Sequence, residues 1–343
     1  MKKAVGGRRK AVGRNRISAA CAGLAVFVAA IVCTAIFVPL LQAQTLKRIR
    51  IGSTTPSITT LPSEIAAKQG FFKDEGLDPE MITIRSADII IKALLSRQLD
   101  YSTSLPSLVT AAVRGLPIKI FGVMIKKTSY VMVSHSSVRS IQELKGKVIG
   151  TSSFGAASDY AIRVALQKGG VDPKKDVTII QVGGSAGRLA ALQAGTIQAT
   201  VLVAPFNIQA EKMGYRSLLW LGKVMDLPQG GLGAHEKRLQ ENPDEVVRVM
   251  KAVSRGIQFI KSSREETVKF MMNWLTLDRA VAEGAYPILI ESLADFGITE
   301  DSVIESAVEA AKFQGLGDRE ISLNQLRDWS FARKARDEIL KKR

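Results

Sequence analysis

The chain has 343 residues, with 48 Lys and Arg against 32 Asp and Glu, a formal net charge of +16, two cysteines and two histidines. Both cysteines, Cys21 and Cys33, lie in an apolar N-terminal run, so the rest of the chain can form no disulfide, thiolate nucleophile or cysteine-ligated metal centre. His135 and His235 are too few for a His-rich metal site, and they leave two candidate bases for a Ser-His-acid triad.

The chain opens with "MKKAVGGRRKAVGRNR", whose seven charged residues are all basic, and Ile17 to Leu46 carry no charge. A basic n-region, an apolar h-region and a small-residue exit at Leu41 and Ala43 predict an export signal over residues 1–43. The apolar run is long enough to span a bilayer, so an uncleaved anchor over residues 17–41 is the rival reading; both place the body in the periplasm, outside the cytoplasm. Arg8-Arg9 carries only a weak hint of twin-arginine export. Removing the leader's seven basic residues from +16 leaves the body at +9. The densest basic run, "FARKARDEILKKR", alternates with acids and apolar residues at helical spacing, so it reads as a solvated helix face and no nucleic-acid partner is expected.

From residue 48 onward, β-rich runs alternate with helical ones. "RIRIGS" (48–53), "EMITIR" (80–85), "LDYSTS" (99–104), "IKIFGVM" (118–124) and "YVMVSH" (130–135) read as strands, followed by "KVIGTS" (147–152), "VTIIQV" (177–182), "ATVLVA" (199–204) and "SLLWLG" (217–222). Helix-length segments such as "PSEIAAKQGFF", "DIIIKALLSRQ", "PSLVTAAVRG", "DYAIRVALQKGG" and "GRLAALQAG" stand between most of them. After about residue 236 the strand pattern stops and the periodicity is helical, with Pro243 placed in a first turn. This is the signature of an α/β fold with two mainly parallel sheets flanked by helices. Two strands, 118–124 and 130–135, follow each other with no helix between, and "MDLPQGGLGAHE" (225–236) makes a second break. The expected organisation is a first lobe of 45–125 plus 228–343, carrying the C-terminal helices, and an inserted lobe of 126–227. Two crossings would make a hinge, and the cleft between lobes is a preferred ligand site.

The stretch "KVIGTSSFGAASDYAIRVAL" (147–166) hands a strand over to a helix, where free N–H groups and the positive dipole end favour an electronegative ligand. A phosphate loop would demand Lys and then Ser or Thr after its last Gly, yet Gly155 is followed by Ala156, Ala157 and Ser158, and no G-x-G-x-x-G occurs.

The run from "IRIGSTTPSITTLPSEIAAKQGFFKDEGLD" to "QLDYSTSLPSLVTAAVRGLPIKIFG", with "GTSSFGAASDYAIRVALQKGGV" and "LQAGTIQATVLVAPF" after it, resembles periplasmic substrate-binding proteins of ABC importers. The nearest class is the nitrate/sulfonate/taurine and thiamine-precursor-like one, and the resemblance covers about residues 46 to 275. It implies a two-lobed type II periplasmic-binding fold. Such a protein works as a monomer without cofactor or metal, closing on a small organic solute and delivering it to an inner-membrane ABC permease driven by a cytoplasmic ATPase. Carried over by position, the ligand would touch Thr54, Thr55, Pro56 and Ser57 after the first strand, and Ser102, Thr103 and Ser104 after a later one. On the opposite lobe it would meet Ser152, Ser153, Phe154, Gly155 and Ser158, then Ser185, then Ala204, Pro205 and Phe206. All stand just after strands, where open α/β sheets bind ligands.

The chain departs from its sulfonate-binding relatives in placing Ala156, Ala157, Ser158 and Asp159 after the glycine, and Ala204 where an acid often precedes the proline. A carboxylate at a helix start is a favourable cap, so a purely structural role for Asp159 stands beside the other reading, that it would repel a compact anion. The latter favours a larger organic solute with an aromatic or apolar part over nitrate, bicarbonate or a small alkanesulfonate. Tyr101, Phe154 and Phe206 are candidates for stacking on that part, and Arg188 for pairing with an anion. Phe71, Phe72, Trp220, Trp274 and Trp329 are expected to pack, and neither histidine is expected to act. Two further readings stand beside solute capture for import. One is an exported sensory or scaffolding module; the other is an enzyme like the pyrimidine-precursor synthases of this fold, whose cysteine-rich segment the body lacks.

Overall fold

Two five-stranded sheets, each covered by helices on both faces, are built from residues 45–54, 56–84, 86–313 and 320–341, the residues that the computed structural model describes. The signal or anchor reading of residues 1–43 lies outside them. Leu46–Arg343 form one compact unit, and no helix among the described residues is long and apolar enough to cross a membrane.

The first sheet has the order β2-β1-β3-β10-β4, made by β1 (Lys47–Ser53), β2 (Leu77–Thr83), β3 (Tyr101–Ser104), β4 (Ile118–Ile125) and β10 (Gly230–His235). The second has the order β7-β6-β8-β5-β9, made by β5 (Val131–Ser134), β6 (Val148–Thr151), β7 (Thr178–Gln181), β8 (Ala199–Leu202) and β9 (Arg216–Trp220). β1 and β2 pair in parallel, from Lys47 opposite Leu77 to Ser53 opposite Thr83. β2 begins three residues before the "EMITIR" pattern and includes Pro79, tolerated because β2 is an edge strand.

Both sheets are mixed, not merely parallel. In each, four strands run one way and one runs against them: β10 in the first and β5 in the second. The reason is where the chain changes sheet. It leaves β4 at Ile125 and β9 at Trp220, at the C-terminal ends of the parallel strands, so the strand it enters next must run away from that end. The two passages are laced together: Ser129 donates from its N–H (2.9 Å) and hydroxyl (2.6 Å) to Gln229 Oε1, and Trp220 Nε1 donates to the Thr128 carbonyl at 2.8 Å.

β10 is a strand where sequence reading sees a glycine-rich break. Its sequence, GGLGAH, offers almost no side chain to a periodicity argument, yet it is buried between β3 and β4. Glycine is required by close approach. A Cβ on Gly230 would lie 2.2 Å from the Thr59 carbonyl oxygen, one on Gly231 2.7 Å from the Gly122 carbonyl oxygen, and one on Gly233 2.8 Å from Leu108 Cδ1.

Apolar alternation then fills the layers. Ile49, Ile51 and Phe121 face a core shared with the helices Leu61–Lys68, Pro243–Ser262 and Ser330–Lys341, while Ile118, Ile120 and Val123 face one shared with Ala87–Leu95, Leu105–Val113 and Asp301–Lys312. The second sheet packs Ile149 and Val201 under the helix Ala157–Lys168, and Val133 and Leu202 under Ser185–Gln193. The C-terminal helices thus cover the first sheet. Tyr101 belongs to that core: it is fully buried, edge-on to Phe121, and donates its hydroxyl to Glu245.

Candidate functional site

A cavity of about 770 Å³ opens where the C-terminal ends of the parallel strands of both sheets converge. The first sheet supplies the turn after β1 with Thr54, Pro56 and Ser57, and the C-terminal end of β3 with Thr103 and Ser104. The second supplies Gly184 and Ser185 after β7, and Val203 to Phe206 after β8. Tyr130, Leu227, Pro228 and Gln229, from the two passages between sheets, close it further.

These positions follow from how the chain turns. Strands that end at the cavity hand over to helices, so helix N-termini gather around it: Thr60, Ser104, Gly184 and Pro205 are N-cap residues, and Ala157 begins its helix. Pro62 and Pro106 stand in first turns, where a missing N–H costs nothing. The helices Leu105–Val113 and Ser185–Gln193 have no acid in their first turns, so their positive dipole ends face the cavity uncompensated. No charged side chain lines it among the described residues; its polar side chains are hydroxyls apart from Gln229, set among apolar residues.

Three groups define the polarity. Ser57 Oγ lies 2.8 Å from Thr59 Oγ1, and Thr60 donates its hydroxyl to the Ser57 carbonyl at 3.1 Å, which braces the first turn. Ser104 is buried, and its hydroxyl has no hydrogen-bond partner among the described residues, although its N–H donates to Ser102 Oγ at 3.1 Å. Arg188 is 2% exposed and has no carboxylate within ion-pairing distance among the described residues. Its Nε donates to the Val201 carbonyl (3.1 Å), Nη1 to the Gly183 carbonyl (2.7 Å) and Nη2 to Ser185 Oγ (3.0 Å). Burial pushes this guanidinium below the usual arginine range, and burial pushes the Tyr130 phenol up while the Arg188 charge opposes it. Because Ser185 Oγ accepts from Arg188, its own proton is free to point into the cavity.

Of the positions read from sequence, Thr54, Pro56, Ser57, Thr103, Ser104, Ser185, Pro205 and Phe206 line this cavity together. Thr55 lies outside the described residues. Ser102 stands one layer beneath, holding Ser104. Ser152, Ser153, Phe154, Gly155 and Ser158 are not among the lining residues. In that turn, Gly155 adopts φ +77°, and its N–H donates to Asp159 Oδ2 at 2.9 Å. Asp159 also accepts Arg163 Nε at 2.9 Å, so its charge is compensated within the protein. Phe154 is 55% exposed, and Ser158 is buried. The Ser158 hydroxyl accepts the Ser152 N–H at 3.0 Å and lies 2.9 Å from Thr151 Oγ1 and 2.7 Å from Ser152 Oγ. Ser158→Ala is therefore expected to lower the stability of the empty protein by about 1–3 kcal/mol, read by urea unfolding. A wild-type midpoint would show that this hydroxyl does not hold the turn.

Sequence reading missed Thr59, Thr60, Ser107, Thr110, Tyr130, Gln229 and the wall of Ala307, Ala310 and Ala311. Ser107 and Thr110, three apart in one helix, left a signal in "PSLVTAAV"; the alanines, about 200 residues further on, left none.

With this geometry in place, comparison with known proteins is direct. The family described as NMT1/THI5 like matches residues 59–267, more than half of the chain. The riboflavin-binding protein RibY of Chloroflexus aurantiacus is 24% identical over 272 residues, covering 74% of this chain and 76% of that protein. Among solved structures, the periplasmic aliphatic sulphonate binding protein SsuA from Escherichia coli superposes with a TM-score of 0.68 at 16% identity, over 81% of this chain and 96% of that one. The periplasmic nitrate-binding protein NrtA from Synechocystis PCC 6803 superposes with 0.67 at 15% identity, over 86% and 89%. At these identities the structures share the two-lobed fold.

Proposed function

The chain belongs to the NMT1/THI5-like family, and on that premise we propose that it is a periplasmic solute-binding protein, which captures a small organic solute in the cavity between its sheets and delivers it to an ABC permease. The relatives named above are binding proteins. The segment 126–227 would close on the solute by turning about the two laced passages.

The observation that carries this reading is Ser104, a residue of the cavity wall whose hydroxyl is buried and has no hydrogen-bond partner among the described residues. Buried hydroxyls in folded proteins are nearly always hydrogen-bonded, and a solute supplies the missing partner. The chemistry around it describes the solute. An electronegative head suits Ser104, Ser185 and the two uncompensated helix N-termini, with the unpaired Arg188 charge behind them. An apolar or aromatic body suits Pro56, Phe206 and Leu227. The described lining holds no carboxylate, imidazole, amine or thiol, which supports capture over chemistry performed on the solute.

Thermal unfolding against a broad library of organic solutes tests this: one or more should raise the melting temperature by mass action, as a ligand at about 100 times its Kd stabilises the folded state by about 2.7 kcal/mol. Ser104→Ala should weaken that solute by about five- to 150-fold, corresponding to about 1–3 kcal/mol for a buried group left unpaired. The empty variant should melt as wild type does, because this hydroxyl makes no hydrogen bond among the described residues. Failure of the whole library to stabilise the wild type would sink solute capture; undiminished affinity in the variant would remove Ser104 from the site.

A further inference from the structure

One wall of the cavity comes from far along the chain, beyond the last strand of either sheet. Ala307, Ala310 and Ala311 of the helix Asp301–Lys312 line it, at a spacing of three and four that puts them on one helix face. All three are buried. Ala307 and Ala311 also pack in the core beneath the first sheet with Leu108 and Ala111, whereas Ala310 belongs to none of the hydrophobic cores. A small-residue stripe alone says little, but here it shares the cavity with the unpartnered, buried Ser104 hydroxyl.

The end of the same helix is held from across the cleft. The Phe313 ring lies 5.4 Å from the Tyr160 ring, and the Arg163 guanidinium lies 5.9 Å from the centre of the Phe313 ring. Arg163 is in turn fixed by Asp159, which also holds the Gly155 N–H. Tyr160, Arg163 and Asp159 belong to the helix Ala157–Lys168 that covers the second sheet. The helix carrying the alanines is therefore positioned by both halves of the protein.

We infer that Ala307, Ala310 and Ala311 set the width of the apolar body that the cavity accepts, with Phe313 on Tyr160 and Arg163 holding that wall in place. The inference rests on the solute-capture reading. Each alanine ends at Cβ, so the space a longer side chain would fill is left to the solute. Elsewhere the lining mixes hydroxyls and Gln229 with prolines, Phe206, Val203, Leu227 and single alanines, whereas this face is three alanines of one helix, where size is what discriminates. A pocket that discriminates by size alone separates ligands by about tenfold or more per added methylene.

The test uses aromatic anions of graded width: benzenesulfonate, naphthalene-2-sulfonate and pyrene-1-sulfonate, titrated calorimetrically into the full protein. Ala310→Leu should raise the ratio of Kd for the widest bound probe to Kd for the narrowest by about tenfold or more over wild type. Ala310→Val should give an intermediate ratio, and it serves if the leucine variant fails to fold. Phe313→Ala should move the ratio the other way and speed dissociation, because a released wall recedes. Equal weakening of all three probes in the alanine variants would overturn the width assignment, and an unmoved ratio in Phe313→Ala would overturn the positioning role. If the wild type binds none of the three although library solutes stabilise it, this inference fails and solute capture stands; if nothing stabilises it, both fail.

Discussion

Gly230→Ala is expected to destabilise the protein by about 3 kcal/mol and to weaken solute binding in the same step. The added Cβ would stand 2.2 Å from the Thr59 carbonyl oxygen and 3.0 Å from Ile125 Cγ1, and the first of these is backbone that no rotamer change can move. Overpacking a filled site costs about 1–3 kcal/mol, with the upper end expected where the obstacle is main chain. Thr59 lines the cavity and braces Ser57, so the shift that relieves the clash displaces the turn after β1. Urea unfolding and solute titration on the same variant measure both effects. Unchanged stability with unchanged affinity would mean that β10 and this turn are not packed against each other as described.

The second large effect is expected at Glu245, remote from the cavity. Its carboxylate is 2% exposed at the start of the helix Pro243–Ser262. It accepts the Tyr101 hydroxyl and, from Arg238, Nε at 2.9 Å and Nη2 at 2.6 Å, while Lys47 pairs with its other oxygen at 2.5 Å. Among the described residues Glu245→Gln leaves Arg238 with Asp100, at 3.2 Å, as its carboxylate partner, and removing one member of a buried ion pair costs about 3–5 kcal/mol. About 3 kcal/mol is expected at pH 7, because Asp100 remains. The pH dependence has a definite sign. Burial pushes the Glu245 carboxyl up, but hydrogen bonds and charge from Lys47, Tyr101 and Arg238 outweigh it and hold the group below its ordinary value of 4.5. A depressed carboxylate contributes stability that is complete above the unfolded-state value and lost as pH falls through the lower folded-state value. The gap between wild type and Glu245→Gln should therefore be full at pH 7 and narrow below about pH 4.5. A gap that is constant with pH would show that the lost packing, not the charge, dominates.

Much of the architecture could be read in order along the chain. The alternation of period-two and period-3.6 runs from residue 48 onward gave the α/β class, and the loss of strand pattern after residue 236 gave the helices that cover the first sheet. Strand-to-helix turns marked where a ligand cavity could form. Thr54, Ser57, Ser104, Ser185 and Phe206 meet at one cavity because strands of one direction end on one side of a sheet. These features are local: a pleat, a cap or a turn is specified by residues within a few positions of each other, so sequence by itself determines them.

What the tertiary structure decided depends on distant partners. GGLGAH becomes a central strand only because the Thr59 and Gly122 carbonyls and Leu108 crowd it, and none of these neighbours is near it in sequence. Tyr101, a candidate for stacking on a ligand, is instead drawn into the core by Glu245, 144 residues away. Even over shorter separations the packing decides: the Ser158 hydroxyl turns towards Thr151 and Ser152, and Arg188 is buried against the carbonyls of Val201 and Gly183 with no carboxylate partner among the described residues. Ala307, Ala310 and Ala311 read in sequence as ordinary helix formers and become a cavity wall only where their helix lies beside Leu105–Val113. A side chain's direction and hydrogen-bond partner are set by whatever fills the space around it, and that is known only once the two sheets and their helices are packed together.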